Sequence, residues 1–346
     1  MVKVELTKEG EAMRSKGIFG VPLAAVLALA WMLAAVSAHA GEITLKLAHS
    51  QPPKGGYMGE APQIFADTLE QSTKGQVKVK IFHSGSLSGN ERELAEMAQS
   101  GAVDIAIPAT TYILGWAPSM KVFDLPYLFE GAQHFKKVVQ GPVGEKLAKE
   151  VEDDGLVLLG YLLPGVRSIF NNTRPITTIE DAKGLKIRSM QSPVYIEMFK
   201  SMGMLPTPLP SSELYTSLQL GVVDAGENDP ASVVSWGWID VIKYYSLDEH
   251  SISAMAVLMN KKRFDSFPPD IQKAIREAAK KAENYQIDYI EKAAAENLKK
   301  IEAKGVKVNR IQNKKPFQDS VKHIIAQYEK EIGPDLVQAV RDAAKK

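Results

Sequence analysis

The sequence predicts an α/β fold of two lobes facing one another across a cleft, braced by one long helix near the C-terminus. Three observations point there. Gln99-Ser100-Gly101-Ala102-Val103-Asp104 and Gln219-Leu220-Gly221-Val222-Val223-Asp224 repeat one chemistry: a helix end, a glycine cap, and a strand entering through Val-Asp. Gly-x-Val-Asp is also ordinary helix-to-strand punctuation, so it is the matched order of elements around it that favours two lobes. The apolar run Leu156–Leu163 meets Pro164-Gly165 and resumes as Val166-Arg167-Ser168-Ile169-Phe170, as a strand kinked at a crossing between lobes would. From Pro268 to Gly305 the composition is almost purely helical, and Ile271, Ile275, Ala278 and Ala279 recur at helical spacing.

Length and composition set the limits. A chain of 346 residues exceeds what one core fills, so two domains fit. With 45% hydrophobic residues and a formal charge of +1, it reads as an ordinary globular protein; Lys and Arg are balanced by Asp and Glu, which argues against a nucleic-acid binder. It has no Cys, which removes disulfides, thiolate catalysis and thiolate metal sites together. Gly17–Ala38 carries no charge, follows Arg14 and Lys16, and ends in Ala38-His39-Ala40, a small-x-small cleavage pattern. Residues 1–40 are therefore expected to be a signal peptide, with Met13 the better start because Glu5, Glu9 and Glu11 do not suit a signal's basic end. An uncleaved membrane anchor is the alternative, which the short apolar core disfavours. No second apolar stretch of spanning length follows, so export to the periplasm without direct membrane insertion is expected.

Taken in order, Thr44–Ser50 alternates as a strand and runs into the loop Pro52–Gly56. A helix follows through Ile64, Phe65 and Leu69, then the strand Val77–Phe82. Asn90 caps a helix to Ser100, Gly101 stops it, and Val103–Ile107 is a strand ending at Pro108. The aromatic stretch Phe123–Phe129 precedes a helix expected near Gln133–Asp153. Leu185–Arg188 alternates apolar residues with cations, which turns Arg188 away from the face that Leu185 and Ile187 bury. Ser192-Pro193 reads as a helix start, and a Pro-rich loop (Pro206, Pro208, Pro210) leads to a helix capped by Ser211 or Ser212. Gly221 ends that helix and Val222-Val223-Asp224 opens a strand. Ala254–Asn260 reads as a strand returning to the first lobe, and further helices are expected over about Pro316–Lys330 and Pro334–Lys345. The domain reading is lobe I over 41–164 and 254–293, and lobe II over 165–253 and 294–346 with the C-terminal helices.

The runs GLKIR and TPLPSSELYTSLQLGVVDAGEN resemble the extracytoplasmic solute receptors of TRAP transporters, the DctP type, and the likeness extends from about Thr44 to Val308. It implies a two-lobed periplasmic-binding-protein fold and a receptor, expected as a monomer, that delivers an organic acid to membrane permease subunits. On chemistry alone, Arg188 is a permanent cation whose paired N–H groups match a carboxylate, though a surface ion pair is the usual fate of a strand arginine. The resemblance implies that Arg188 binds the ligand carboxylate, that Arg167 in PGVRSIFNN faces it from the hinge, that Asn228 hydrogen-bonds the ligand, and that Gln191 is a polar contact. Asn90 and Glu91 at a helix start, and Thr110 with Thr111 after the Val-Asp strand, are further candidates by position. Arg174 lacks the match and reads as structural; Ser211 stands where some sialic-acid receptors carry Phe; Trp236 and Trp238 read as core or hinge aromatics.

Enzyme signatures are missing. The His residues, among them His49, His83 and His250, show no HExxH or other ligand spacing, and neither Gly85–Gly89 nor Gly55–Gly59 is a nucleophile elbow or a nucleotide loop. No cofactor, metal or catalytic residue is expected. The competing readings are a secreted hydrolase or lyase with carboxylates in the cleft, and a receptor that feeds a sensor kinase.

Overall fold

The structure, a computed structural model, describes residues 42–53 and 56–345; the expected signal peptide and the Lys54-Gly55 part of the first loop lie outside them. Eleven strands are described: β1 (Ile43–Ala48), β2 (Val77–Phe82), β3 (Ile105–Ala106), β4 (Leu156–Leu162), β5 (Val166–Asn171), β6 (Lys186–Ser189), β7 (Leu205–Pro208), β8 (Ala225–Asn228), β9 (Tyr244–Ile252), β10 (Met255–Asn260) and β11 (Lys307–Arg310). They form a five-stranded sheet ordered β2-β1-β3-β10-β4 and a six-stranded sheet ordered β11-β9-β5-β8-β6-β7. This is the mixed α/β, two-lobed architecture that the sequence predicts. The chain leaves the first sheet after Leu162, enters the second at Val166, and returns between Ile252 and Met255.

The repeat read from Gly-x-Val-Asp is a repeat of hydrogen bonds. Gly101 (φ 82°) and Gly221 (φ 70°) both close helices in the left-handed region. Beyond each, the aspartate ties its strand to the preceding parallel one: Lys46 N donates to Asp104 Oδ2 at 2.7 Å and Lys186 N to Asp224 Oδ2 at 3.0 Å. The return bonds match, Asp104 N to Lys46 O at 3.0 Å and Asp224 N to Lys186 O at 2.7 Å. Each trio, β2-β1-β3 and β7-β6-β8, is parallel and is followed by an antiparallel neighbour, β10 or β5.

Local expectations fail where side chains find better partners. The helix expected near Gln133–Asp153 is two, Ala132–Val139 and Pro142–Glu150, because Pro142 has no N–H to continue the ladder. Ser192 precedes its helix but forms no side-chain cap; its Oγ donates to Asp124 Oδ2 at 2.9 Å. Ser211 begins its helix after Pro210 rather than capping it. The Pro-rich segment is β7, confined to the sheet edge where a missing N–H does no harm.

The bracing helix runs Pro269–Ala303, about 50 Å at 1.5 Å per residue. Ile271 and Ile275 bury beside the first sheet, while Ile301 packs with Trp238, Tyr245 and Val306 against the second. Midway, Gln286 clamps the crossing: its Nε2 donates to Leu163 O and Tyr57 O, both at 2.6 Å, and its Oε1 accepts Leu163 N at 2.7 Å. The last helix, Pro334–Ala343, lies against Ala132–Val139 and Pro142–Glu150, with His134 Nε2 2.7 Å from Val340 O. Phe123–Phe129 is a buried aromatic segment around Phe123, Phe129, Phe135 and Tyr161.

Candidate functional site

Parallel strands leave their carboxyl ends open, and in both sheets those ends carry the polar residues. Ser50 and Gln51 follow β1, Glu91 begins the helix after β2, and Ala109 and Tyr112 follow β3; across from them stand Arg188 on β6, Ser211 after β7 and Asn228 on β8. Two small adjoining cavities, about 30 and 10 Å³, lie between these groups. The larger is bordered by Gln51, Glu91, Tyr112, Arg167, Asn228 and Ser253, the smaller by Asn90, Gln191 and Trp236 together with Glu91 and Ser211. A volume of this size suits about one water.

Arg188 is 0% exposed, although strand arginines usually reach solvent. Its Nε donates to Leu209 O at 2.7 Å and its Nη2 to Ser211 Oγ at 3.2 Å. Its Nη1 forms no hydrogen bond; the Glu227 carboxylate stands 3.9 Å away. A buried cationic N–H group without an acceptor is costly; Arg188 itself borders neither cavity, but Ser211, to which it donates, borders both.

Arg167, expected to face the ligand from the hinge, borders the larger cavity and is already paired. Glu227 takes its paired face, Nε to Oε2 at 2.6 Å and Nη2 to Oε1 at 2.7 Å. Nη1 turns to Asn228 Oδ1 at 2.9 Å and Ser253 Oγ at 3.4 Å. Burial alone would raise the Glu227 carboxyl, but Arg167 and His250 outweigh it and hold it at about 2. His250 sits 3.4 Å from Glu227 Oε2 and 2.9 Å from Asp248 Oδ2. Asn228 Oδ1 also accepts Asp229 N at 3.0 Å, which fixes the amide and leaves its NH₂ without a partner among the described residues.

On the opposite side, Glu91 Oε1 accepts Ser50 Oγ at 2.6 Å and Oε2 accepts Ala109 N at 2.8 Å, while burial pushes its carboxyl up. Asn90 is the helix cap, accepting Arg92 N at 3.0 Å, and borders the smaller cavity as well. Gln191 is exposed at its rim. Thr110 is buried away from both cavities, its Oγ1 bonded to Ala254 O at 3.2 Å; Thr111 donates to Asp124 Oδ2 at 2.5 Å. Arg174 is structural, donating to Asp181 O and Lys183 O, both at 2.7 Å. Trp238 is core, stacked on Trp236 with centroids 5.8 Å apart, while Trp236 Nε1 reaches across the cleft to Gln51 Oε1 at 3.0 Å.

Sequence reasoning missed Gln51, Tyr112 and Ser253. Position just beyond a strand was a usable signal for all three, since Gln51 follows β1, Tyr112 follows β3 and Ser253 follows β9. Among the described residues no group of three or more His, Cys, Asp or Glu is placed to hold a metal ion, and no helix is long and apolar enough to cross a membrane.

A family model described as bacterial extracellular solute-binding protein, family 7, matches residues 47–331. The 2,3-diketo-L-gulonate-binding periplasmic protein of Escherichia coli is 34% identical over 287 residues, covering 81% of this chain and 86% of that one. A TRAP periplasmic solute-binding protein of Chromohalobacter salexigens, solved with bound D-glucuronate, superposes with a TM-score of 0.82 at 31% identity, covering 86% of this chain and 99% of that one. One from a Polaromonas species, bound to D-erythronate, gives 0.83 at 30% identity over 87% and 98% of the two chains.

Proposed function

Because the chain belongs to the family-7 bacterial extracellular solute-binding proteins, which are receptors and not enzymes, we propose that it is a periplasmic TRAP receptor for a sugar acid. In this reading residues 1–40 are cleaved on export, and the mature monomer hands its ligand to the membrane permease subunits. The lobes are 41–164 with 254–293, and 165–253 with 294–346, the last helix reaching across to the first. The observation that carries the proposal is the buried Arg188 Nη1, which has no acceptor.

The surrounding charges favour one carboxylate with hydroxyls over two carboxylates. Arg167 is neutralised by Glu227, so Arg188 is the cation left to meet an anion, with the Asn228 NH₂ as a flanking donor. At the other end stands Glu91, an acceptor that repels a second carboxylate and suits a sugar hydroxyl. The present cavities are too small for a sugar acid, so the ligand enters with the lobes apart and is enclosed as they close. Closure removes water from the ion pair and strengthens it.

A thermal-shift panel of D-glucuronate, D-galacturonate, D-erythronate, 2,3-diketo-L-gulonate, succinate and malate, followed by calorimetry on the hits, tests this. The sugar acids should raise the melting point above the dicarboxylates and be recovered unchanged. No shift with any acid, turnover of the bound acid, or unaltered affinity in Arg188→Ala would sink the proposal.

A further inference from the structure

Behind the loop that carries Ser50 and Gln51 lies a second polar cluster that the ligand cavity does not use. His49 follows β1 and His83 follows β2, and these strands run parallel in register through Ala48 and Phe82. His49 N donates to Phe82 O at 3.1 Å, which continues the pairing by one residue. Adjacent residues of paired strands share a face, so the two imidazoles meet: His49 Nε2 is 3.1 Å from His83 Nδ1, with ring centroids 5.0 Å apart. His49 is 2% exposed and its Nδ1 forms no hydrogen bond; His83 is half-buried. Both border a cavity of about 470 Å³ together with Glu60, Gln63 and Tyr289.

We propose that His49 Nε2 and His83 Nδ1 form a two-imidazole site for a divalent transition-metal ion of the Cu²⁺, Ni²⁺ and Zn²⁺ class. Two imidazole nitrogens on one such ion, each bound at roughly 2.0–2.1 Å, stand about 3 Å apart, close to their present separation. The nitrogens therefore already stand at the separation an ion needs, the rings must turn to aim both lone pairs at it, and the strand register holds the two residues side by side. Imidazole suits these ions, whereas Mg²⁺ and Ca²⁺ require oxygen shells that this pair does not supply. The cavity has room for water to complete the coordination.

With two protein ligands the ion is exchangeable, and its affinity follows the general order with Cu²⁺ first. Without metal the two nitrogens share one proton as a hydrogen bond. On binding, the donor ring moves that proton to its other nitrogen, both lone pairs face the ion, and neutral rings release no net proton.

Untagged mature protein titrated with Cu²⁺ in a non-chelating buffer, read by calorimetry and electron paramagnetic resonance, tests the site. Wild type should take one ion per chain at this site, with two equatorial imidazole nitrogens in the spectrum. His83→Ala should weaken binding by about tenfold or more and remove one of those nitrogens. His83→Gln repeats the test with a side chain of similar size should the alanine variant melt early. Equal Cu²⁺ affinity in wild type and both variants, or a wild-type spectrum without the nitrogen pair, overturns the site in favour of a plain His–His hydrogen bond.

Discussion

Arg167 and Glu227 form a buried, two-point ion pair joining the crossing strand to the strand that ends in Asn228, with N···O distances of 2.6 and 2.7 Å. The pair sets the direction of Arg167 Nη1 and, through it, of the Asn228 amide. Glu227→Gln leaves the guanidinium buried without its counter-charge. Denaturant unfolding should show a loss of roughly 3–5 kcal/mol. A loss under about 1 kcal/mol, the range of exposed pairs, would mean that water replaces the carboxylate and that the pair does not organise the site.

Arg188 should separate charge from geometry. Arg188→Ala removes the free donor and is expected to abolish measurable binding of whichever sugar acid gives the largest thermal shift. Arg188→Lys keeps a cation but loses the planar fork held by Leu209 O and Ser211 Oγ, and should weaken binding by roughly 10- to 100-fold. Calorimetry that finds the lysine variant equal to wild type would show that charge alone suffices.

The alkaline limb of stability should trace to His250. Burial would lower its imidazole, but Asp248 and Glu227 outweigh burial and raise it from 6.5 to about 9. A raised basic group stabilises the fold fully below its unfolded value, and that contribution is lost as pH rises through the folded one. Between the ordinary 6.5 and about 9, wild type should therefore lose about 3 kcal/mol more than His250→Gln. Parallel stability curves for the two proteins over that window would contradict this assignment.

Gly165 should resist substitution. Its φ of 116° lies outside what side-chain-bearing residues adopt readily, and a Cβ there would come 3.0 Å from Asp229 Cβ and 3.4 Å from Ile290 Cγ1. Gly165→Ala is expected to cost about 1–3 kcal/mol in unfolding free energy. Stability within about 0.5 kcal/mol of wild type would mean that the crossing has slack.

Element order, the repeated Gly-x-Val-Asp unit and the long brace were legible in the sequence because each follows from neighbours along the chain, whereas Arg188 was singled out by the family resemblance of its GLKIR run. Period, caps and prolines act within a few residues, and strand geometry puts Arg188 near the end of a short strand without saying what it meets. Even there the reading failed when a side chain had a distant partner, as with Ser192 and Asp124.

The sequence by itself determined an α/β chain with two similar halves and a strand arginine at the carboxyl end of one of them; that Arg188 is buried was decided by the tertiary structure. Only the tertiary structure decided that Glu227 occupies Arg167, that Thr110 turns inward to Ala254, that Tyr112 and Ser253 border the cavity, and that His49 faces His83. Those partners lie 60 residues apart for Arg167 and Glu227, 144 for Thr110 and Ala254, and 34 for the two histidines. Strand register sets such distances, and register is a property of the packed sheets that no local pattern encodes.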